Sequence, residues 1–212
     1  MADSPGFTSL RDHLLDLAQL RASDRLLDIG TGTGLLALAA APRVARVSAL
    51  DVSPAMCRHL QDKFDRHGFA NVEVLVNSAT DLPFGDDAVD VVLSNYCFHH
   101  LRGSDKARAL GEIRRVLRPG GRLVFADVML RMNLVTRRDR AVITLFVKRM
   151  VRRGPAGLAR LAKNATRLAT GRWEHPASAE WWRQALLEAG FVDVAVQALA
   201  HEGGIACARK PM

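Results

Sequence analysis

The sequence contains little cysteine: Cys57, Cys97 and Cys207 are an odd number, and no two of them form a C-x-x-C pair. This pattern argues against a disulfide framework and a structural zinc site, and no cluster of carboxylates predicts another metal. The chain also lacks an uncharged apolar run of about 18 residues, which a transmembrane helix requires. Residues 1–5 lack the basic and apolar regions of a secretion signal. We therefore expect a cytoplasmic protein with reduced thiols.

The length, the hydrophobic content and the order of predicted elements favour one α/β domain. The 212 residues are 49% hydrophobic, which is enough to bury a substantial core. Segments of strand character alternate with segments of helical periodicity. Strands are predicted at residues 26–29, 44–50, 72–76, 89–93 and 122–128, with helices at 35–41, 54–67 and 105–117 between them. Such alternation predicts βαβ units and a parallel sheet.

The last part of the chain departs from that alternation. A helix is predicted at residues 178–189, and strands are predicted at 192–199 and 205–209. Only five residues separate these two strands, which is too few for a crossover helix. The segment therefore predicts an antiparallel hairpin at the end of the sheet. At the other end of the chain, residues 7–20 predict one amphipathic helix.

The first predicted strand leads into a loop with glycine at alternate positions. Asp28 ends the strand, and Gly30, Gly32 and Gly34 follow. Glycine adopts backbone conformations closed to other residues and leaves no Cβ between the main chain and a ligand, so the loop can lie against a bulky nucleotide cofactor. A dinucleotide-binding fingerprint needs its third glycine where this chain has Leu35. The spacing therefore argues against a nicotinamide-dependent dehydrogenase.

The D-x-G-x-G-x-G pattern of residues 28–34 resembles motif I of the class I S-adenosylmethionine-dependent methyltransferases. Residues 77–84, 89–93 and 117–128 resemble later signature blocks of the same superfamily, in the same order. The resemblance is to its small-molecule group, with a methyltransferase type 11-like domain. It implies an α/β, Rossmann-like fold with a seven-stranded, mostly parallel sheet, a C-terminal antiparallel hairpin and a helical insert after strand 5. It also implies S-adenosyl-L-methionine as cofactor and S-adenosyl-L-homocysteine as product.

Candidate cofactor contacts come from the ends of successive strands. Asp51 lies 21 residues after Gly30, where an acidic residue of an open α/β sheet accepts hydrogen bonds from ribose hydroxyls. Where the family commonly has an acidic residue and alanine at the adenine amino group, this chain has Ser78-Ala79, and the serine oxygen can still accept that bond. The full predicted set is Asp28, Gly30, Thr31, Gly32, Gly34, Asp51, Val52, Ser78, Ala79 and Asn95.

Candidate catalytic residues follow the fourth and fifth predicted strands, at the edge where such sheets bind ligands. They are His99, His100 and Asp127. The arrangement resembles small-molecule O-methyltransferases in which a histidine and an aspartate at these places act on the acceptor hydroxyl. Carried over by position, one histidine is the base and Asp127 its partner. The alternatives are a histidine that caps or packs the loop and an aspartate that is a solvated strand end.

The positive charge is concentrated in one insert, assigned to residues 131–176. Residues 131–172 contain twelve Lys or Arg and a single acid, Asp139, so they carry +11, and the rest of the chain carries −3 of the net +8. Apolar residues recur at helical spacing from Ile143 to Val151, and a second such pattern follows Gly154-Pro155. The insert therefore predicts two basic amphipathic helices.

Three roles for the insert are open. It could be a substrate lid whose apolar faces lie on the open end of the sheet, or a lid that also contacts an anionic membrane surface. It could also bind nucleic acid. Against the last, Phe146 is its only aromatic residue apart from Trp173, and the N-P-P-Y motif of amino-methylating enzymes is missing after Ser94. The tryptophans Trp173, Trp181 and Trp182 are candidates for an apolar acceptor pocket or for the core.

These patterns predict a methyltransferase that acts on a small, apolar or lipid-like acceptor, most simply by O-methylation with histidine and aspartate assistance. Two alternatives remain. One is an RNA or protein methyltransferase that uses the basic insert for binding, and the other is a non-methylating protein that keeps the cofactor. The sequence indicates neither the acceptor nor the oligomeric state.

Overall fold

The computed structural model describes residues 5–130, 137–169 and 175–212. Seven strands form one sheet: β1 Arg25–Ile29, β2 Arg46–Asp51, β3 Val72–Val76, β4 Val89–Asn95, β5 Leu117–Val128, β6 Val192–Ala198 and β7 Gly203–Arg209. The helices are α1 Pro5–Ala18, α2 Leu35–Ala40, α3 Pro54–His67, α4 Gly103–Val116, α5 Arg137–Val151, α6 Gly154–Ala169 and α7 Ala179–Glu188.

The strand order is β3-β2-β1-β4-β5-β7-β6. Strands β1 to β5 pair in parallel, and β7 pairs antiparallel with both β5 and β6. The chain therefore reverses direction at one strand near the sheet edge, and the predicted fold class is confirmed. Four residues, 199–202, make the tight connection between β6 and β7, one fewer than the sequence predicts.

Helices cover both faces of the sheet because neighbouring strand residues point to opposite sides. Leu26 faces a core that includes Leu14 of α1, Leu36 of α2 and Leu60 of α3. The next residue, Leu27, belongs to the second core, which packs under α4 and α7. Burial on both faces explains why the central strands read as nearly continuous apolar runs.

Helices α5 and α6 lie in the basic insert and pack on each other. They cross closely at Gly157, where an added Cβ would lie 1.8 Å from the carbonyl oxygen of Met150. Within the described ranges, neither helix packs extensively on any other helix or strand. Several of their large apolar side chains are exposed instead of covering the sheet: Leu145, Phe146, Val147, Val151 and Leu158. Residues 131–136 and 170–174 of the insert, with Trp173, lie outside the described residues.

One side chain fastens the start of α5 to the rest of the domain. The Arg138 guanidinium donates hydrogen bonds to the carbonyl oxygens of Met129, Leu199, His201 and Gly203, at 2.8, 2.7, 2.6 and 2.9 Å. These carbonyls lie just after β5 and in the turn between β6 and β7. The insert is therefore attached at the edge of the sheet where β5 ends.

The part of the chain that the structure describes contains no helix long and apolar enough to cross a membrane. Its three cysteines are free, and its His, Cys, Asp and Glu side chains form no cluster that could hold a metal ion.

Candidate active site

Four parallel strands end at the same edge of the sheet, and most of the predicted site residues lie there. The glycine loop follows β1, Asp51 ends β2, Asn95 ends β4 and Asp127 lies at the end of β5. The chain leaves β1 toward β2 on one side, whereas β4 pairs with β1 on the other. Ligands of open α/β sheets bind at such a reversal of strand order. The structure therefore gathers these candidates around one crevice.

Glycine is required in this loop by close packing. Gly30 has φ +67°, and a Cβ on it would lie 2.2 Å from Sγ of Cys97, in the segment after β4. Gly34 has φ +82°, and a Cβ there would lie 2.3 Å from Cδ1 of Leu60 on α3. Both positions combine a left-handed backbone with no room for a side chain. The loop thus packs closely between the segment after β4 and helix α3.

Asp28 is buried beneath the loop, with only 2% of its surface exposed. Its Oδ2 accepts hydrogen bonds from the Thr31 hydroxyl at 2.7 Å and from the backbone N–H of Ala37 at 3.2 Å. Burial raises the pKa of this carboxyl to about 6, against the lowering effect of those two bonds. In this structure Asp28 joins the loop to α2, and a direct cofactor contact for Asp28 and Thr31 stays a prediction.

The raised pKa of Asp28 makes the stability of the fold depend on pH. Its ordinary value is 3.8 and its folded value about 6, so the folded state binds a proton more tightly than the unfolded state. The free energy of unfolding therefore rises as the pH falls through that window and is lowest above it. From about pH 7 to about pH 5 we expect a gain of about 1 kcal/mol relative to Asp28→Asn. Urea unfolding of both proteins at each pH measures it, and parallel curves would contradict the raised pKa.

Asp51 connects the end of β2 to the glycine loop. Its Oδ2 accepts from the backbone N–H of Gly32 at 2.9 Å, and its Oδ1 accepts from the N–H of Ser53 at 2.9 Å. Each carboxylate oxygen retains capacity for a further donor, such as a ribose hydroxyl. The neighbouring Val52 is 69% exposed and presents an apolar surface beside this carboxylate. Asp51 and the loop therefore lie together at this edge of the sheet, and the ribose contact of Asp51 stays a prediction.

The predicted adenine contacts lie in the turn after β3. Ser78 Oγ accepts from the backbone N–H of Thr80 at 3.2 Å and lies 2.8 Å from the Thr80 hydroxyl oxygen. Ala79 is buried, with 5% of its surface exposed. The serine oxygen thus already supports its own turn, and the adenine role of Ser78 and Ala79 stays a prediction.

Asn95, at the end of β4, carries a buried Oδ1 with no hydrogen-bond partner among the described residues. Its predecessor Ser94 pairs in register with Ile29, the residue before the glycine loop. Unpartnered buried oxygens are rare because losing water without a replacement bond costs about 1–3 kcal/mol. Asn95 therefore has an acceptor at the end of β4 that lacks a protein donor within the described ranges, and its contact with a cofactor stays a prediction.

The structure gives the two candidate histidines different burial, although their rings lie close, with centroids 4.1 Å apart. His99 lies in the short 3-10 turn Phe98–His100 and is buried, and its Nδ1 lies 2.5 Å from Oδ1 of Asp127. His100, next in sequence, is exposed. Asp127 is fully buried, its Oδ1 also accepts from the N–H of Val128 at 2.8 Å, and its Oδ2 has no partner among the residues described. His99 and Asp127 thus form a buried pair at the crevice.

With Asp127 as a carboxylate, this geometry favours one tautomer of the imidazole. A carboxylate only accepts hydrogen bonds, so Nδ1 of His99 carries the proton that is directed at Asp127. Nε2 is then the ring nitrogen with the basic lone pair. The pair therefore has the arrangement that a general base and an orienting carboxylate need, and its catalytic role stays a prediction.

Two residues near the pair were not identified from the sequence. Lys106 on α4 is 2% exposed, and its ammonium donates to the carbonyl oxygens of Leu101 and, at 2.6 Å, His175. The N–H of His175 in turn donates to the carbonyl of His99 at 2.7 Å. Burial lowers the pKa of Lys106. Lys106 lies three residues before the buried Ala109 on the same face of α4. That spacing is the sequence signal that could have indicated a buried lysine.

Tyr96 is the second such residue. Its backbone has φ +53°, which is unusual for a residue other than glycine. Its ring packs edge-on to the ring of His99, with centroids 6.4 Å apart. Burial, followed by the charges of Glu202 and Asp127, raises the pKa of Tyr96 to about 12. No sequence pattern indicated this conformation.

The tryptophan predictions have different outcomes. Trp182 is 1% exposed and packs against Phe98 and Phe125, with ring centroids 5.7 and 4.8 Å away, so it belongs to the core under the turn of His99. Trp181 is 36% exposed and lines a surface cavity of about 490 Å³ with Lys106 and His175.

The sheet order, the glycine loop after β1 and the acidic residue at the end of β2 together define a class I methyltransferase fold. Residues 27–125 match the family model described as a methyltransferase domain. This match spans a little under half of the chain, and the fold agrees with it.

Relatives by sequence include an uncharacterised methyltransferase of Bacillus subtilis, YcgJ, which is 35% identical over 114 residues, covering 54% of this chain and 44% of the relative. The demethylmenaquinone methyltransferase of Thermus thermophilus is 41% identical over 119 residues, covering 55% of this chain and 53% of the relative. The chain spans about half the length of these curated relatives.

Solved structures show the same fold over nearly the whole chain. The Bacillus subtilis YcgJ structure has a TM-score of 0.70 and 18% identity, covering 95% of this chain and 98% of that one. Phosphoethanolamine N-methyltransferase 2 of Haemonchus contortus, in complex with S-adenosyl-L-methionine, has a TM-score of 0.74 and 17% identity, covering 99% of this chain and 54% of that one.

Proposed function

We propose that this protein transfers the methyl group of S-adenosylmethionine to a hydroxyl group of a small, apolar or lipid-like acceptor. The observation that carries the proposal is the buried pair of His99 and Asp127 at the edge of the sheet that holds the glycine loop. A proton acceptor is needed for a hydroxyl nucleophile, and this pair supplies one.

The crevice fits the proposed cofactor. Asp51 retains acceptor capacity for ribose hydroxyls beside the amides of the loop, and the unpartnered Oδ1 of Asn95 would accept from the ammonium group of the methionine portion. Exposed Val52 offers an apolar contact to the adenine ring. When bound there, S-adenosylmethionine supplies a sulfonium-activated methyl group, so the protein's task is to align the acceptor and exclude water.

The role of His99 follows from its tautomer. As the acceptor oxygen forms its bond to the methyl carbon, the carbon–sulfur bond breaks and its electron pair stays on sulfur, giving a neutral thioether. The hydroxyl proton passes to Nε2 of His99. The resulting imidazolium is stabilised by Asp127 through the bond at Nδ1.

The acceptor class is supported by the surroundings of the site. The insert that follows β5 has exposed apolar side chains, Phe146 and Leu158 among them, and few aromatic rings for stacking bases. One sequence relative is by name a demethylmenaquinone methyltransferase, an enzyme whose name gives a quinone acceptor. These features favour a lipid-like acceptor over a nucleic acid.

The test is a transfer reaction with methyl-labelled S-adenosylmethionine and a desalted extract of the source organism. We expect label in the organic phase, absent when the protein is omitted, and mass spectrometry should locate the added methyl on oxygen. Label in a nuclease- or protease-sensitive precipitate would replace the proposal with an RNA or protein methyltransferase. Saturable cofactor binding with no transfer to any fraction would favour a non-methylating protein.

A further inference from the structure

The helical hairpin formed by α5 and α6, residues 137–169, has apolar side chains on its surface that the domain leaves uncovered. Their exposed fractions are large: Leu145 68%, Phe146 41%, Val147 40%, Val151 53% and Leu158 54%. Scattered exposed apolar residues are common on proteins, but a group of this size on one helical pair indicates an interaction surface. The fold itself provides no partner for it among the described residues.

The same hairpin is strongly basic. Residues 137–169 contain ten Lys or Arg and one acid, Asp139. Asp139 is 3% exposed, and its Oδ1 lies 3.3 Å from Nη1 of Arg138. Because it is buried and paired with Arg138, it leaves the charge of the other basic residues uncompensated. Leu145 has Lys148, Arg149 and Arg152 at the i+3, i+4 and i+7 positions of its helix, which places the most exposed apolar side chain within the basic face.

We propose that the hairpin of α5 and α6 docks on an anionic phospholipid surface. Basic side chains beside exposed apolar ones suit an interface where headgroups are negative and acyl chains lie a few ångströms deeper. A polynucleotide would use the charges but not Leu145, Val147, Val151 and Leu158, and only Phe146 is available to stack on a base. A lipid surface therefore accounts for both features, whereas a nucleic acid accounts for one.

The attachment of the hairpin relates this surface to the active site. Arg138 holds the start of α5 on the carbonyls of Met129 and the turn between β6 and β7. Met129 lies two residues after Asp127. A docked hairpin thus holds the crevice near the bilayer, where a lipid-like acceptor is found.

Vesicle co-sedimentation tests the charge requirement. We expect binding to phosphatidylcholine vesicles that contain phosphatidylglycerol, weak binding to phosphatidylcholine alone, and loss of binding as salt increases. Arg149→Gln with Arg152→Gln should weaken binding roughly 5-fold per charge removed. The matched pair Arg108→Gln with Arg183→Gln, exposed basic residues outside the hairpin, should change it little. Equal losses for both pairs, or equal binding to both vesicle types, would overturn the proposal.

The apolar requirement is tested separately. Leu145→Ser with Phe146→Ser should lower vesicle affinity about 10-fold or more, because burying a large apolar side chain contributes about 1.5–3 kcal/mol. Leu187→Ser on α7, 49% exposed, is the control. Preference for a single-stranded RNA over the anionic vesicles would instead assign the surface to nucleic acid. The proposal extends the proposed acceptor class, but vesicle binding needs no methyl transfer, so either can fail without the other.

Discussion

Replacing His99 by glutamine is expected to slow methyl transfer about 10²- to 10⁴-fold, the usual contribution of a general base. Glutamine keeps a polar side chain in the 3-10 turn but has no basic nitrogen. Affinity for S-adenosylmethionine should be unchanged, because the contacts proposed for the cofactor come from other residues. Single-turnover transfer and equilibrium binding, measured on the same preparation, separate the two quantities.

His100 provides the matched control for this experiment. It is adjacent in sequence and has the same chemistry, but it is exposed, so His100→Gln should retain nearly full activity. Asp127→Asn should resemble His99→Gln, since an amide can donate to Nδ1 and force the proton onto Nε2. Near-normal transfer by His99→Gln would show that the buried pair is a packing feature. In that case an acceptor that needs no base would fit better.

Gly30→Ala is expected to lower the affinity for S-adenosylmethionine about 100-fold. The new Cβ would lie 2.2 Å from Sγ and 2.5 Å from Cβ of Cys97, at a φ of +67°. Overpacking of this kind costs about 1–3 kcal/mol, and an alanine in the left-handed conformation costs about 1–2 kcal/mol. If the loop shifts to relieve this cost, each 1.4 kcal/mol lowers the cofactor affinity about tenfold. Calorimetric titration with the cofactor measures the loss.

Two variants isolate the clash from the backbone strain. Gly68→Ala has nearly the same φ, +69°, but its Cβ would meet nothing within 4 Å, so it should cost a little stability and leave cofactor affinity intact. Adding Cys97→Gly to Gly30→Ala removes both clashing atoms and should restore most of the affinity. If Gly30→Ala binds as well as the natural protein, the loop is not held against β4 as described.

The sequence specifies the fold well where local signals and burial agree. α3 begins and ends as predicted, at Pro54 and His67, because the Ser53 side chain caps its first turn and Gly68 ends it with a positive φ. β2 begins at Arg46, two residues later than predicted, because Pro42 lies in a short 3-10 turn, Ala41–Arg43, before it. The alternation of elements predicts parallel βαβ units but not the strand order, and only the resemblance to class I methyltransferases implies the seven-stranded Rossmann-like sheet.

The site is less fully specified by the sequence. The glycines and Asp51 occur at fixed spacings from strand ends, so their positions follow from the fold. His99 and His100 cannot be distinguished by pattern, because only the path of the 3-10 turn decides which ring reaches Asp127. Lys106 depends on distant partners, the carbonyls of Leu101 and His175, which nothing in its local sequence indicates.

In the sequence, Arg138 is one of the basic residues of the insert and has no distinguishing feature. In the structure, it attaches the hairpin through four carbonyl oxygens of the main chain. Every residue type presents the same carbonyl, so these four hydrogen bonds place no requirement of their own on the side chains at the receiving positions. Only the course of the backbone and the arginine itself must be kept. The sequence of the hairpin beyond Arg138 is therefore able to change without loss of this attachment.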